Sequence, residues 1–375
     1  MMSDQAYCKD LLANLVAAPS ASLHEHEVAQ LLWKELSSFG LSPQLVPIED
    51  NACNLSCLLK GNGNGPKLIL GGHMDTVQAT DGWATNPYHL TEKHGRLYGL
   101  GAGDMKGGLA ACLTVLRRLV QHGKHFNGEI LFLALSDEER YSIGANLWAK
   151  TAGKADLAIF AEPHFDNIVI GATGKILLKL TITGCSGHAA HPEEGINAVD
   201  CMSRFLCALN DKYRPQYENG KAASCCVLRI ESRYKGYSLN IPDHCEALLN
   251  KQLLTTENAE HFTSELRNIF DGLHCNGNLT IEQCIPSYPS YQLEMPFEPL
   301  TCLLDVAGQF NVKPQLQLNQ SVSDGNILFS RLNIPTILFG PQGIDFHKPN
   351  EYVVEDTLYK YCDILEKFVL DWMHS

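Results

Sequence analysis

The chain has 375 residues, with 29 Lys plus Arg against 42 Asp plus Glu and a formal net charge of −13. That balance excludes a nucleic acid or an anionic membrane surface as the expected partner, since both would be repelled. With 45% hydrophobic residues, no apolar run near the ~18 residues of a membrane span, and no basic start followed by an apolar run, it reads as a folded cytoplasmic protein of about two domains.

The first predicted elements are layered. Gly61 to Pro66 is a turn, and the apolar run Leu68-Ile69-Leu70 after it reads as a buried strand, followed by others at Ile130–Leu135 and Leu157–Ala161. Between the first two, Met105, Leu109, Cys112, Leu113, Leu116 and Val120 recur at helical spacing. Strand, helix, strand, helix, strand predicts an α/β domain with a central, mostly parallel sheet. After Gly174 the pattern changes. In Lys175–Thr183 apolar residues alternate with Lys and Thr, as in a strand of an antiparallel sheet with one wet face. Further strands are expected at Ser224–Ile230, Glu246–Leu254 and Leu279–Ile285, with helices at Ile196–Leu209 and Asn258–Phe270. Pro286–Tyr291 reads as a linker, after which a helix, the strand Thr336–Phe339 and a last helix from Glu355 resume the first style. The expected organisation is therefore residues 1–173 plus 287–375 as one domain, with residues 174–286 inserted as an α+β domain. The fourteen cysteines are spread without a CxxC pair, which reads as reduced thiols and not a disulfide scaffold.

The chemistry lies where predicted strands end. Gly71-Gly72-His73-Met74-Asp75 follows the first, Ser136-Asp137-Glu138-Glu139 the second, Glu162 the third and His347-Lys348-Pro349-Asn350-Glu351 the strand at 336–339, while Asp104 precedes the long helix. Ligands gather outside the carboxyl ends of strands in open α/β sheets. Two imidazoles and several carboxylates converging there need one or two dications, and mixed His and carboxylate ligation suits zinc, with cobalt or manganese as substitutes. Along a strand residues i and i+2 share a side, so Asp75 is placed to orient His73. A nucleotide site fits poorly, because Asp104 breaks the GxGxxG spacing and no Walker sequence occurs; no GxSxG elbow supports a serine hydrolase.

Six separated segments, His73–Thr76, Leu97–Gly108, Asp137–Glu139, Glu162-Pro163, Gly187–Pro192 and His347–Glu351, together resemble the di-zinc amidohydrolases and exopeptidases. These include acetylornithine deacetylase, succinyl-diaminopimelate desuccinylase, aminoacylase and the glutamate carboxypeptidases. The resemblance implies two zinc ions per chain, with His73 and Glu162 on one, Glu139 and His347 on the other and Asp104 bridging. It implies Asp75 as the partner of His73, Glu138 as general base, a lid and dimerisation role for the inserted domain, and His188 reaching a partner's site in a homodimer. His191 has no such role, and Asn240-Ile241-Pro242 resembles a lid segment near substrate. Relatives often carry an arginine where this chain has Gln252, so either Lys251 or another residue must grip a substrate carboxylate. The expected activity is hydrolysis of an N-acyl amino acid, acetylornithine deacetylase-like. The alternatives are a desuccinylase, dipeptidase or carboxypeptidase, or a non-catalytic metal- or peptide-binding protein of the same fold.

Overall fold

Lys67–His73 is buried along almost its whole length because parallel neighbours flank it on both sides: Glu129–Leu135, with His73 opposite Leu135, and Leu157–Phe160, with Leu70 opposite Ile159. Apolar residues on both faces are what such a central strand needs. The computed structural model describes residues 3–49, 51–123, 125–220, 222–233 and 236–374. Thr336–Leu338 continues the parallel set beside Leu157–Phe160, while Ala52–Lys60 pairs antiparallel with Glu129–Leu135 and Gln44–Glu49 with Ala52–Lys60. The sheet is therefore mixed, parallel at its centre and antiparallel toward its edges, and the expected α/β class holds with that refinement.

The chain divides into two units: Met1–Gly171, Gln292–Asn319 and Ser323–Ser375 form one, Ala172–Tyr291 and Gln320–Val322 the other. In the first, the helix Gly107–Gln121 is buried nearly all round and shares a core with Asp4–Ala17 and Glu355–Trp372. Its close approach to the sheet depends on Gly108, where a Cβ would lie 2.0 Å from the carbonyl oxygen of Ala161. A small antiparallel sheet of Thr91–Lys93, Arg96–Tyr98, Gly343–Ile344 and Tyr352–Val354 flanks the segment that carries Asp104.

The second unit is an antiparallel sheet in the order Cys225–Ser232, His244–Leu253, Gly174–Thr183, Asn278–Tyr288. Burial alternates along Gly174–Thr183, and Ile176, Leu178, Leu180 and Ile182 pack with Phe205, Leu209, Phe262 and Leu266 of the helices Ala198–Glu218 and Ala259–Asp271. Asn197 and Asn258 cap these helices, each side chain accepting two backbone N–H groups. The first helix runs past the expected Leu209, since beyond it only Tyr213 is buried and the apolar pattern fades. Residues 286–288 are not a linker but the end of the strand Asn278–Tyr288, where the register shifts between Cys284 and Tyr288 around Pro286, a residue without an N–H to give the ladder.

Candidate active site

His73 is fixed at the end of its strand from two sides. Its N–H donates to Met105 Sδ at 3.2 Å, and a Cβ at Gly72 would fall 2.0 Å from Met105 Cε, so only glycine lets that thioether in. Nδ1 donates to the main-chain oxygen of Asp75 at 3.0 Å and lies 3.4 Å from its Oδ1. Nε2 is thereby turned toward Asp104 Oδ1 at 3.1 Å, with Glu162 Oε2 at 3.9 Å. The other oxygen of Asp104 lies 3.5 Å from His347 Nε2, which is also 2.9 Å from the Glu139 carboxylate. The five residues His73, Asp104, Glu139, Glu162 and His347 thus come together, and His73, Asp104 and Glu139 each offer a donor atom within 4.8 Å of the others.

Asp104 is held from behind by Glu351, whose Oε1 accepts the N–H groups of Gly103 and Asp104, both at 2.9 Å, and whose Oε2 accepts that of Gly101 at 3.0 Å. Asp75 Oδ1 and Oδ2 accept the N–H groups of Glu138 and Glu139, each at 3.1 Å, while Ser22 Oγ donates to Oδ2 at 2.7 Å. The turn that presents these glutamates is set by Asp137, with φ 67°, whose N–H donates to the buried Glu25.

The charges report on what this cluster can hold. Burial works against protonation of His73, yet Asp104, Asp75 and Glu162 outweigh it and raise its pKa well above the usual range. Asp104 and Glu139 raise His347 to about 10. Burial, with neighbouring acids, pushes the Glu138 and Glu162 carboxyls well above the ordinary carboxylate range, and burial pushes Glu139 up as well. Asp104 goes the other way: its burial is overcome by His347 and His73, which hold it low. His73 Nδ1 already donates to Asp75 O while its Nε2 faces a carboxylate oxygen, an arrangement that calls for a positive charge at Nε2. A proton can supply it, and a dication suits these oxygen and imidazole donors better. The donor set fits one or more divalent metals.

Sequence reasoning gave no role to three buried acids. Glu25 and Glu351 are each pushed up to about 7, mainly by burial, and each holds backbone N–H groups of the site. Asp324, buried at the head of the helix Asp324–Leu332, is raised to about 7 by burial although Ser142 hydrogen-bonds it, and its charge bears on Glu138 and Glu162. The helix-start signature Ser323-Asp324-Gly325-Asn326 was its visible signal.

His188 lies in the second unit. It is exposed, and its Nδ1 accepts the N–H of Ala190 at 3.1 Å. Lys251 cannot be the substrate's cation. Its side chain is fully buried, with Nζ 2.7 Å from Glu257 and donating to Ala223 O at 3.1 Å. Gln252 accepts from Thr173 Oγ1 at 3.4 Å.

The chain is similar to known proteins over nearly its whole length. The family described as Peptidase family M20/M25/M40 matches residues 69–371. A probable succinyl-diaminopimelate desuccinylase of Staphylococcus aureus (strain N315) is 26% identical, with 97% of each chain covered. An acetylornithine deacetylase of Proteus mirabilis (strain HI4320) is 29% identical, with 96% of each covered. Among solved structures, a tripeptidase from Staphylococcus aureus superposes with a TM-score of 0.81 at 21% identity over all of both chains. A dinuclear metal-binding peptidase of the M20 family from Bacillus subtilis gives 0.77 at 14% identity, covering 99% of this chain and 98% of that one. Homologues with hydrolytic names spanning nearly the whole chain, and a family match over most of it, establish that this chain belongs to peptidase family M20/M25/M40 and is a hydrolytic enzyme.

Proposed function

We propose that the protein hydrolyses the amide bond of an N-acyl amino acid, with Glu138 as general base, and that two zinc ions per chain are held by His73 and Glu162, by Glu139 and His347, and by Asp104 between them. The observation that carries this reading is the Asp75 carboxylate: it fixes the His73 ring and the backbone of Glu138 and Glu139 at once, so the paired glutamates are presented beside that ring, with the Glu139 carboxylate 2.9 Å from His347 Nε2. Bound there, zinc supplies Lewis acidity toward water and the scissile carbonyl. Glu138 takes one proton from the attacking water; as the C–O bond forms and the C–N bond breaks, it delivers that proton to the leaving amine, giving a carboxylic acid and a free amino group.

The second unit supports a homodimer in which it acts as lid. Its edge strand Cys225–Ser232 exposes Val227, Leu228 and Ile230, an unpaired edge of the kind that a second copy covers. His188 is read as reaching the partner's site, where it stabilises the oxyanion. Its Nδ1 is occupied by Ala190, which leaves Nε2–H as the donor.

A screen of zinc-loaded protein against N-acetyl amino acids, N-succinyl-diaminopimelate and di- and tripeptides tests the reading. The expected result is turnover of an N-acyl amino acid, N-acetylornithine first, that is lost with a chelator and restored by zinc. Turnover of peptides alone would overturn the substrate class, and bound metal without any hydrolysis would favour a binding protein of the same fold.

A further inference from the structure

We propose that Arg140 grips a carboxylate of the substrate, in a pocket that the first unit builds beside the metal donors. This rests on the amide-hydrolysis reading and adds the charge that the substrate must carry. The pocket encloses about 960 Å³ and is lined by Ser22, His24, Asn51, Thr76, Gln78 and Arg140, with Glu139 on the same wall. Since the Glu139 carboxylate lies 2.9 Å from His347 Nε2, a substrate extending from the metal centre into this space passes the residue next to Glu139 in the chain.

Arg140 is exposed, and among the described residues it has no carboxylate within 4.0 Å. Its guanidinium carbon sits 5.1 Å from the centre of the Tyr141 ring. Stacking of this kind occupies the flat face of a guanidinium and leaves the N–H fork at its edge for a planar anion. The neutral groups of Asn51, Thr76 and Gln78 add hydrogen-bonding capacity around it; Glu27 is the further acid on the wall, carried by the helix His26–Ser38.

A second observation supports the assignment. An N-acyl amino acid brings at least one carboxylate, and the two lid positions that could have answered it do not. Lys251 is buried against Glu257, and Gln252 is uncharged. Arg140 is a cation placed on the cavity beside the catalytic acids and not already paired.

The test uses matched substrates, N-acetylornithine and N-succinyl-diaminopimelate, each against the carboxamide that replaces one carboxylate at a time. Arg140→Met should lower kcat/KM about ten- to a hundredfold for the charged forms, mostly through KM, as expected for loss of a charge-assisted hydrogen bond, and leave one carboxamide nearly unaffected. That carboxamide identifies whether the acyl or the amino-acid carboxylate is held. Arg140→Lys should restore part of the loss, since a point charge lacks the fork. Independently of turnover, succinate titrated calorimetrically into the metal-free protein should bind at least tenfold more weakly to Arg140→Met than to the wild type. Equal losses on charged and neutral substrates with zinc content unchanged, or succinate binding that ignores the substitution, would overturn the role of Arg140 and leave the hydrolysis reading intact. If zinc-loaded wild type hydrolysed nothing, the functional reading would fail, and the succinate titration would still decide whether Arg140 binds a carboxylate.

Discussion

The Asp75 carboxylate accepts the N–H of Glu139 through Oδ2 at 3.1 Å, although the two residues are 64 positions apart in sequence. Through Oδ1 it holds the N–H of Glu138, and it lies 3.4 Å from the His73 ring. One fully buried anion thereby ties the ends of two neighbouring parallel strands to each other, and its pKa is held low, despite burial, by His73, Ser22 and the Glu139 amide. Asp75→Asn keeps the volume but turns an amide donor toward a backbone donor. We expect zinc affinity and kcat/KM each to fall about ten- to a hundredfold, as is usual when the partner of a metal-bound histidine is lost. Competition for zinc against a chelator of known affinity checks the first, and steady-state kinetics at saturating zinc the second. Wild-type values for both would show that the contacts are dispensable.

The buried acids predict how the metal-free protein responds to pH. Glu25, Asp324 and Glu351 are each raised to about 7, while in the unfolded chain such groups titrate near 4 to 4.5. Between pH 4.5 and 7 the folded state therefore keeps protons that the unfolded state has released, and stability must fall as pH rises through that window. Asp75 and Asp104, both shifted down, contribute stability that is lost only below about pH 4. His164, lowered by burial, opposes this trend as one group against three, and Lys106, lowered to about 7 by burial, gives an opposite slope only above pH 7. Zinc requires deprotonated ligands, so the increase in Tm on adding it should be larger at pH 7 than at pH 5. Thermal unfolding of metal-free and zinc-loaded protein at both pH values is the measurement; a metal-free Tm that rises from pH 5 to 7 would contradict the argument.

Lys251 supplies a prediction about the second unit alone. Its ammonium is enclosed by Glu257, the Ala223 carbonyl and the rings of Tyr213 and Phe262. Lys251→Met fills similar space but removes the cation from Glu257, which keeps the N–H of Leu254 and is partly exposed, so the expected cost is ~2–3 kcal/mol, below that of a fully buried pair. Urea unfolding should show this loss, and the ratio of kcat/KM for a carboxylate substrate to that for its carboxamide should stay unchanged. A change in that ratio would return Lys251 to the substrate.

What could be read beforehand follows from periodicity. The apolar runs leading to His73, Leu135 and Phe160 announced central strands, and the acids and imidazoles just past them marked the site. The parity of His244–Leu253 also spoke against an exposed Lys251, since Cys245, Ala247, Leu249, Lys251 and Leu253 are its buried set, but nothing in the sequence named Glu257 as the partner that makes burial tolerable. Glu25 stayed silent for the same reason, and Glu351, though inside the segment His347–Glu351, was given no role. A single acid among 42 Asp and Glu residues has no period, and its value lies in backbone N–H groups that are distant in sequence, Asp137 for the one and Gly101, Gly103 and Asp104 for the other. The antiparallel edges of the main sheet were missed because Ala52–Lys60 includes Asn54, Ser56 and Lys60, which blur both the alternating and the continuous pattern.

The proposed dimer and the proposed base can be tested together with two variants that fail for different reasons. Glu138→Gln retains size and hydrogen bonding but cannot take the proton of water, so turnover should drop by ~10²- to 10⁴-fold while zinc content stays at the wild-type value. His188→Ala removes an oxyanion donor, a loss of ~3 kcal/mol in the transition state with little change in folding, since the ring is exposed and its contacts among the described residues, Ala190 N–H at Nδ1 and the ring of His191, are local. If His188 serves the neighbouring chain, a mixed dimer contains one site with Glu138 from the His188→Ala chain and His188 from the Glu138→Gln chain, and that site is complete. Equal amounts unfolded and reassembled give about half mixed dimers, each with one working site of two, so roughly one quarter of wild-type activity should return. Light scattering on the same samples establishes that dimers have formed, and a tagged variant reports subunit exchange. Exchange without recovery would place His188 in its own chain's site or outside catalysis, and a fully active monomer would remove the lid-mediated dimer altogether.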